Sequence, residues 1–205
     1  MSKTFNILLV GVGGQGIVLA SEIIARAALE DGLDVKKSEI HGMSQRGGSV
    51  TSHVRFGEQV FSPVIPKGQA DVLLAFERLE ALRFAPYLRT QGMAVINQQA
   101  IPPATVLAGA AHYPENIEEL MEQRGLRVVR VDGVSVAKEV GNPLTLNMAL
   151  LGAASVFLSL SERAWEVAMA QHIKPAFLDV NRKAFRLGRD LAPTSLTTAP
   201  VSPES

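Results

Sequence analysis

The sequence predicts a three-layer α/β/α Rossmann-like domain whose mixed sheet contains an antiparallel hairpin. Three observations predict it. An apolar run, Asn6–Val10, passes through a glycine-rich turn straight into a helical pattern that starts at Ile17. Apolar runs of strand length then alternate with helical patterns, the order that builds a sheet covered on both faces. One segment, Ser49–Phe56, instead alternates with period two. Gly57-Glu58 after it suits a two-residue turn, so Gln59–Phe61 is expected to return antiparallel to it.

Each element has its own signal. The first helix carries an apolar stripe of Ile17, Ala20, Ile24, Ala27 and Ala28, and Gly32 ends it. Leu33–Glu39 is a second strand, more polar than the first and so expected near the sheet edge. In Ser49–Phe56, Val50, Val54 and Phe56 face one way and Thr51, His53 and Arg55 the other, which predicts a surface position for His53. Asp71–Phe76 is a buried strand that runs into a helix starting at Glu77. Met93–Asn97 and Arg127–Val131 are further strands. Between them a helix starts at Pro114-Glu115, with Glu118 and Glu119 suited to its positive end and Gly125 as its stop. Asn142-Pro143 opens a helix, Leu144–Leu160, that is apolar nearly all round. Ser161 caps the next, which holds Trp165, and Lys174-Pro175 separates it from an amphipathic helix over Ala176–Leu191. Residues 192–205, rich in Pro, Ser and Thr, are expected to form a disordered tail behind a single domain, 1–191.

Composition narrows the function classes. The chain has 205 residues, 47% hydrophobic and 20% charged, with 20 Lys plus Arg against 20 Asp plus Glu. Such a balance gives no overall field to attract nucleic acid or an anionic membrane. There are no cysteines, which excludes disulfides, thiolate zinc sites, cysteine-held iron–sulfur clusters and a cysteine nucleophile within this chain. No signal peptide and no apolar run of membrane-spanning length are found, so a cytoplasmic location is the default expectation. The four histidines, His41, His53, His112 and His172, show no metal-ligand spacing.

In an α/β sheet ligands sit beyond the carboxyl ends of strands. Four places follow: Gly11–Gly16, Glu39–Gly48, Glu77 and Asn97. Gly11-Val12-Gly13-Gly14-Gln15-Gly16 has the spacing of a phosphate-cradling turn, in which backbone N–H groups and a helix start face an anion. Tight strand–helix packing asks for the same glycines without any ligand. Ser44, Gln45 and Arg46, followed by Gly47 and Gly48, put a hydroxyl, an amide and a guanidinium on one loop. Arg46 is suited to a phosphate or carboxylate; the loop is equally readable as a plain connection. Glu39 lies about where a dinucleotide-binding domain places its ribose acid, or is a strand-end charge. Glu77 and Glu80 are an acid/base pair or residues placed for the helix dipole. Asn147, inside an apolar helix, needs a buried partner or a binding role.

The glycine turn, the block Glu39-Ile40-His41-Gly42-Met43-Ser44-Gln45-Arg46-Gly47-Gly48, the pair Ala70-Asp71 and Glu77-Arg78-Leu79-Glu80 together resemble the gamma-type subunit of 2-oxoacid:ferredoxin oxidoreductases. Within that family the likeness is to the small (beta) subunit of indolepyruvate ferredoxin oxidoreductase. It covers about residues 5–190, and the Gly42–Gly48 block carries it more specifically than the first glycines do. The resemblance implies a subunit that is not catalytic alone. Its large partner would hold thiamine diphosphate with magnesium and the 4Fe-4S clusters, and the complex would turn an aryl 2-oxoacid into its acyl-coenzyme A with electrons passing to ferredoxin. No residue here is expected to be catalytic. Gly11, Gly13, Gly14, Gln15, Gly16, Ser44, Gln45, Arg46 and Gly47 would contact coenzyme A or line the subunit interface. Two other readings stay open: a stand-alone NAD- or nucleotide-binding oxidoreductase, and a non-enzymatic scaffold subunit.

Overall fold

The computed structural model describes residues 4–41 and 48–193. In chain order it runs β1 (Phe5–Val12), α1 (Ile17–Glu30), β2 (Asp34–His41), β3 (Ser49–Gly57), β4 (Ala70–Ala75), α2 (Arg78–Phe84), β5 (Leu88–Asn97), α3 (Ala104–Leu107), α4 (Ile117–Gln123), β6 (Arg127–Val131), α5 (Gly133–Glu139), α6 (Leu146–Ser155), α7 (Glu162–His172) and α8 (Pro175–Leu191). Single 3₁₀ turns lie at Ala85–Tyr87 and Pro143–Thr145.

The strands form one six-stranded sheet in the order β2-β3-β1-β4-β5-β6. β1, β4, β5 and β6 are parallel to one another. β3 is antiparallel to both of its neighbours, pairing Val12 with Ser49 on one side and His41 with Val50 on the other. Each strand presents alternate residues to opposite faces, and both faces are covered. Ile7, Leu9, Val72, Leu74 and Val95 join one core with α1, α5, α6, α7 and α8. Leu8, Val10, Leu73, Ala75 and Ile96 join the other with α2, α4 and Ile65. Three layers result, as the alternation of strands and helices predicts.

α6 and α8 touch backbone to backbone. A Cβ on Gly152 would stand 1.9 Å from the carbonyl oxygen of Phe185, and one on Gly188 1.9 Å from that of Ala149. Glycine at both positions is a steric requirement of this crossing. α7 lies on α1, and its capping residue Ser161 donates to Asp31 at the end of α1 at 2.6 Å.

Several expectations are corrected. Gln59–Phe61 forms no strand; both edges of β3 are already taken by β1 and β2, and the chain after Gly57 crosses a sheet face instead. That crossing buries His53, which is 3% exposed rather than on the surface. Its Nδ1 accepts the N–H of Ile65 at 3.2 Å, and burial, helped by Arg55, holds its pKa below the ordinary histidine value. The helix expected over Leu144–Leu160 is confined to Leu146–Ser155, with a 3₁₀ turn before it. α3 and α5, four and seven residues long, are too short to show a helical period. The expected disordered tail falls almost wholly on residues 194–205, outside the described residues.

Candidate functional site

The chain leaves β1 toward one face, through α1, and leaves β4 toward the other, through α2. The carboxyl ends of β1 and β4 therefore flank the topological switch point, where a doubly wound sheet offers a crevice. A knot of side-chain amides fills it. Gln15 Oε1 accepts the N–H of Val12 at 2.7 Å, and Gln15 Nε2 donates to the carbonyl of Phe76 at 2.9 Å. Asn97, fully buried, donates to the same carbonyl at 3.0 Å and accepts the N–H of Gly133 at 3.3 Å. Gln99 Oε1 stands 3.5 Å from both amide nitrogens. The ends of all four parallel strands are thus tied together. Asn97 was legible as the lone amide closing an apolar strand; Gln99 carried no signal.

The glycines divide by role. Gly11 makes room for this knot: a Cβ there would lie 2.7 Å from Gln15 Oε1 and 2.8 Å from Phe76 Cβ. Gly13 donates to the carbonyl of Gly48 at 2.9 Å, which joins the glycine loop to the segment leading into β3. Gly14 and Gly16 have φ of +97° and +80°, the left-handed region that favours glycine. Nothing stands within 4 Å of a Cβ on Gly14, whereas one on Gly16 would meet Asn147 Nδ2 at 2.6 Å. Asn147 is buried, with Nδ2 3.5 Å from the carbonyl of Gly16, and its Oδ1 has no partner. No side chain caps the start of α1, so its first N–H groups and the positive end of its dipole face outward.

They face a cleft of about 530 Å³ on the β2 side of the loop, lined by Gly13, Gly14, Gly16, Ile17, Val18, Glu39 and Val50. Glu39 accepts from Lys37 at 2.7 Å, and Lys37 also pairs with Glu22. Burial works against the Lys37 ammonium, but these two carboxylates outweigh it and raise its pKa above the ordinary value, so the acid at the cleft is charge-compensated. In the classical dinucleotide-binding order the ribose acid ends the strand beside β1. Here antiparallel β3 takes that place and sets β2 two strands from β1, about 10 Å away. Glu39 is not in the ribose-binding position.

Glu77 and Glu80 are buried anchors rather than an open acid/base pair. Glu77 caps α2 through the N–H of Glu80 at 3.0 Å. It also accepts from the N–H of Ile101 at 3.0 Å and from Tyr113 Oη at 2.6 Å. Burial and this carboxylate push the Tyr113 phenol pKa up. Arg78 forks onto Glu118 at 2.7 and 2.6 Å; burial opposes the charge on Glu118, but Arg78 outweighs it and lowers its pKa. Glu80 accepts from Ser49 Oγ at 2.5 Å. The Glu77-Arg78-Leu79-Glu80 motif therefore ties three segments to α2: the chain after β5, α4, and the start of β3.

Of the residues expected to bind, the structure brings Gly13, Gly14 and Gly16 to the cleft and gives Gln15 and Gly11 to the amide knot. Ser44, Gln45, Arg46 and Gly47 lie outside the described residues. Among the described residues no group of histidine, aspartate and glutamate side chains is arranged to hold a metal ion, and no helix is long and apolar enough to cross a membrane.

Residues 6–191 match the family model described as pyruvate ferredoxin/flavodoxin oxidoreductase. The chain is 42% identical to the indolepyruvate oxidoreductase subunit IorB of Thermococcus kodakarensis, over 91% of this chain and 95% of that one. It is 27% identical to the ketoisovalerate oxidoreductase subunit VorA of Methanothermobacter marburgensis, covering 95% of this chain but 38% of the relative. Among solved structures it resembles a keto/oxoacid ferredoxin oxidoreductase gamma subunit from Geobacter sulfurreducens, with a TM-score of 0.69 and 25% identity over 92% of this chain and 98% of that one. It shares its fold with part of the 2-oxoglutarate:ferredoxin oxidoreductase from Magnetococcus marinus, solved with 2-oxoglutarate, coenzyme A and succinyl-CoA bound. That match has a TM-score of 0.73 and 22% identity, covering 94% of this chain and 31% of that one.

Proposed function

The chain belongs to the pyruvate ferredoxin/flavodoxin oxidoreductase family, and from this we infer its place in a larger enzyme: the small, IorB-like subunit of an indolepyruvate:ferredoxin oxidoreductase. It is a subunit of a 2-oxoacid:ferredoxin oxidoreductase. The reaction joins the acyl group of a 2-oxoacid to the thiol of coenzyme A. Carbon dioxide leaves, and two electrons pass one at a time to two ferredoxins, with one proton released. The observation that carries the reading is the match to IorB along 95% of that subunit's length.

The division of labour is our proposal. The large partner subunit holds thiamine diphosphate with magnesium and the 4Fe-4S clusters. A chain without cysteine has no thiolate to offer a cluster. Thiamine diphosphate supplies the carbanion chemistry of decarboxylation; the residues of this chain bind and orient. Gly13, Gly14 and Gly16 line the cleft, the Gly13 N–H already donating to the Gly48 carbonyl. With Ser44, Gln45, Arg46 and Gly47, the two loops offer the phosphates of coenzyme A the uncapped start of α1 and a guanidinium. That the same domain makes up about a third of longer chains elsewhere in the family supports a close fit to a partner. Ferredoxin meets the complex on the partner, and the complex works in the cytoplasm.

The test is Arg46→Ala in the reconstituted complex. The expected result is intact assembly with the coenzyme A KM raised at least about tenfold, the loss of one charge-assisted contact. An unchanged coenzyme A dependence would remove Arg46 from that role, and failed assembly would move it to the subunit interface.

A further inference from the structure

Gln15 sits in the middle of the glycine loop, yet its carboxamide does not face the cleft. Both of its ends are committed to backbone groups on opposite sides of the switch point, at 2.7 and 2.9 Å. The N–H of Val12 and the carbonyl of Phe76 are the groups an open crevice would offer to a ligand. Gly11 is part of the same arrangement, because a Cβ there would collide with Gln15 Oε1. Asn97 holds the Phe76 carbonyl from the far side, so the bridge is braced from β5. A dinucleotide lying across the carboxyl edge must pass from the β1 turn toward β4, through the space that this side chain occupies. The acid that would take its ribose is displaced by the insertion of β3.

We propose that Gln15 is a positioning residue that closes the switch-point crevice to dinucleotides and holds the glycine loop facing the cleft on the β2 side. The first glycines thus keep the spacing of a dinucleotide fingerprint while the residue between them removes the site. This stands apart from the coenzyme A reading: the titrations are made with excess coenzyme A present, so a site that takes the adenosine diphosphate group of coenzyme A is already filled and is not scored.

The full chain is titrated calorimetrically with NAD and with ADP in the presence of excess coenzyme A, and amide exchange at Val12 is followed in wild type, Gln15→Met, Gln15→Asn and Gln15→Glu. Wild type is expected to show no saturable binding of either nucleotide up to ~1 mM. Val12 exchange accelerates by about tenfold or more in Gln15→Met, which loses both hydrogen bonds. Gln15→Asn, one methylene too short to span the crevice, does the same and serves if the Met variant fails to fold. Gln15→Glu keeps an acceptor over Val12 and slows the exchange again. Micromolar binding of NAD or ADP by the wild type overturns the proposal, as does wild-type protection of Val12 in the Met or Asn variant.

Discussion

At the scale of single residues, the glycine loop separates conformational need from steric need. Gly14 and Gly16 both have positive φ, but only Gly16 is crowded, by Asn147. Gly14→Ala bears strain alone, about 1 kcal/mol. Gly16→Ala adds a clash with a buried side chain, for a total on the order of 2–4 kcal/mol. Denaturant midpoints of the two variants should fall in that order, and equal losses would contradict the placement of Asn147. His53 gives a pH signature. Its pKa is lowered in the fold from an ordinary 6.5, so the unfolded chain takes up its proton first as pH falls. The stability His53 contributes is fully present above pH 6.5 and declines below it, until the folded-state pKa is reached. His53→Gln should flatten the stability profile between pH 5 and 7 (roughly the span around the free histidine value). An unaltered slope would show that the ring is not held neutral. Nothing in the alternation of Ser49–Phe56 could reveal this residue's burial, because the cover is the distant stretch ending at Ile65.

At the scale of elements, apolar runs bounded by turn residues were legible: β6 falls on Arg127–Val131 as read from its alternation with the neighbouring helices. The polar composition of β2 placed it at the sheet edge, where it lies. The pairing of β3 was not legible. Local turn chemistry pointed to Gln59–Phe61, whereas the partner is set by β1 and β2, whose free edges lie side by side only once the sheet has formed. α6 shows a further limit. Its apolar run continues past Ser155, but backbone contact with α8 needs only the stretch around Ala149 and Gly152. Because a Cβ on Gly188 would meet backbone rather than a yielding side chain, Gly188→Ala must push the two helices apart. The expected loss is about 1–3 kcal/mol, a fall in Tm of roughly 2–4 °C for each kcal/mol at this size. Trp165 reports it, since its buried ring packs against Phe185 of α8 with centroids 5.5 Å apart. A melt of Gly188→Ala followed by Trp165 emission that overlays wild type would refute the close crossing.

At the scale of the whole molecule, what was legible of the candidate site was its place at one end of the sheet. The sequence marks the glycine turn and the Gly42–Gly48 block as neighbours at one end of the sheet, and the Gly13–Gly48 hydrogen bond joins them. It does not distinguish glycines that face a ligand from those that admit Gln15, because that depends on which side of β1 the crevice is filled. A chain without cysteine has no thiolate to offer an iron–sulfur cluster. Its family is one of ferredoxin/flavodoxin oxidoreductases. The most direct test measures 2-oxoacid-dependent dye reduction, with thiamine diphosphate and coenzyme A present, by this chain alone, by the large subunit alone and by the two together. Activity should appear only in the mixture and be highest with indolepyruvate. Full activity from the large subunit alone, undiminished by leaving this chain out, would contradict the subunit role.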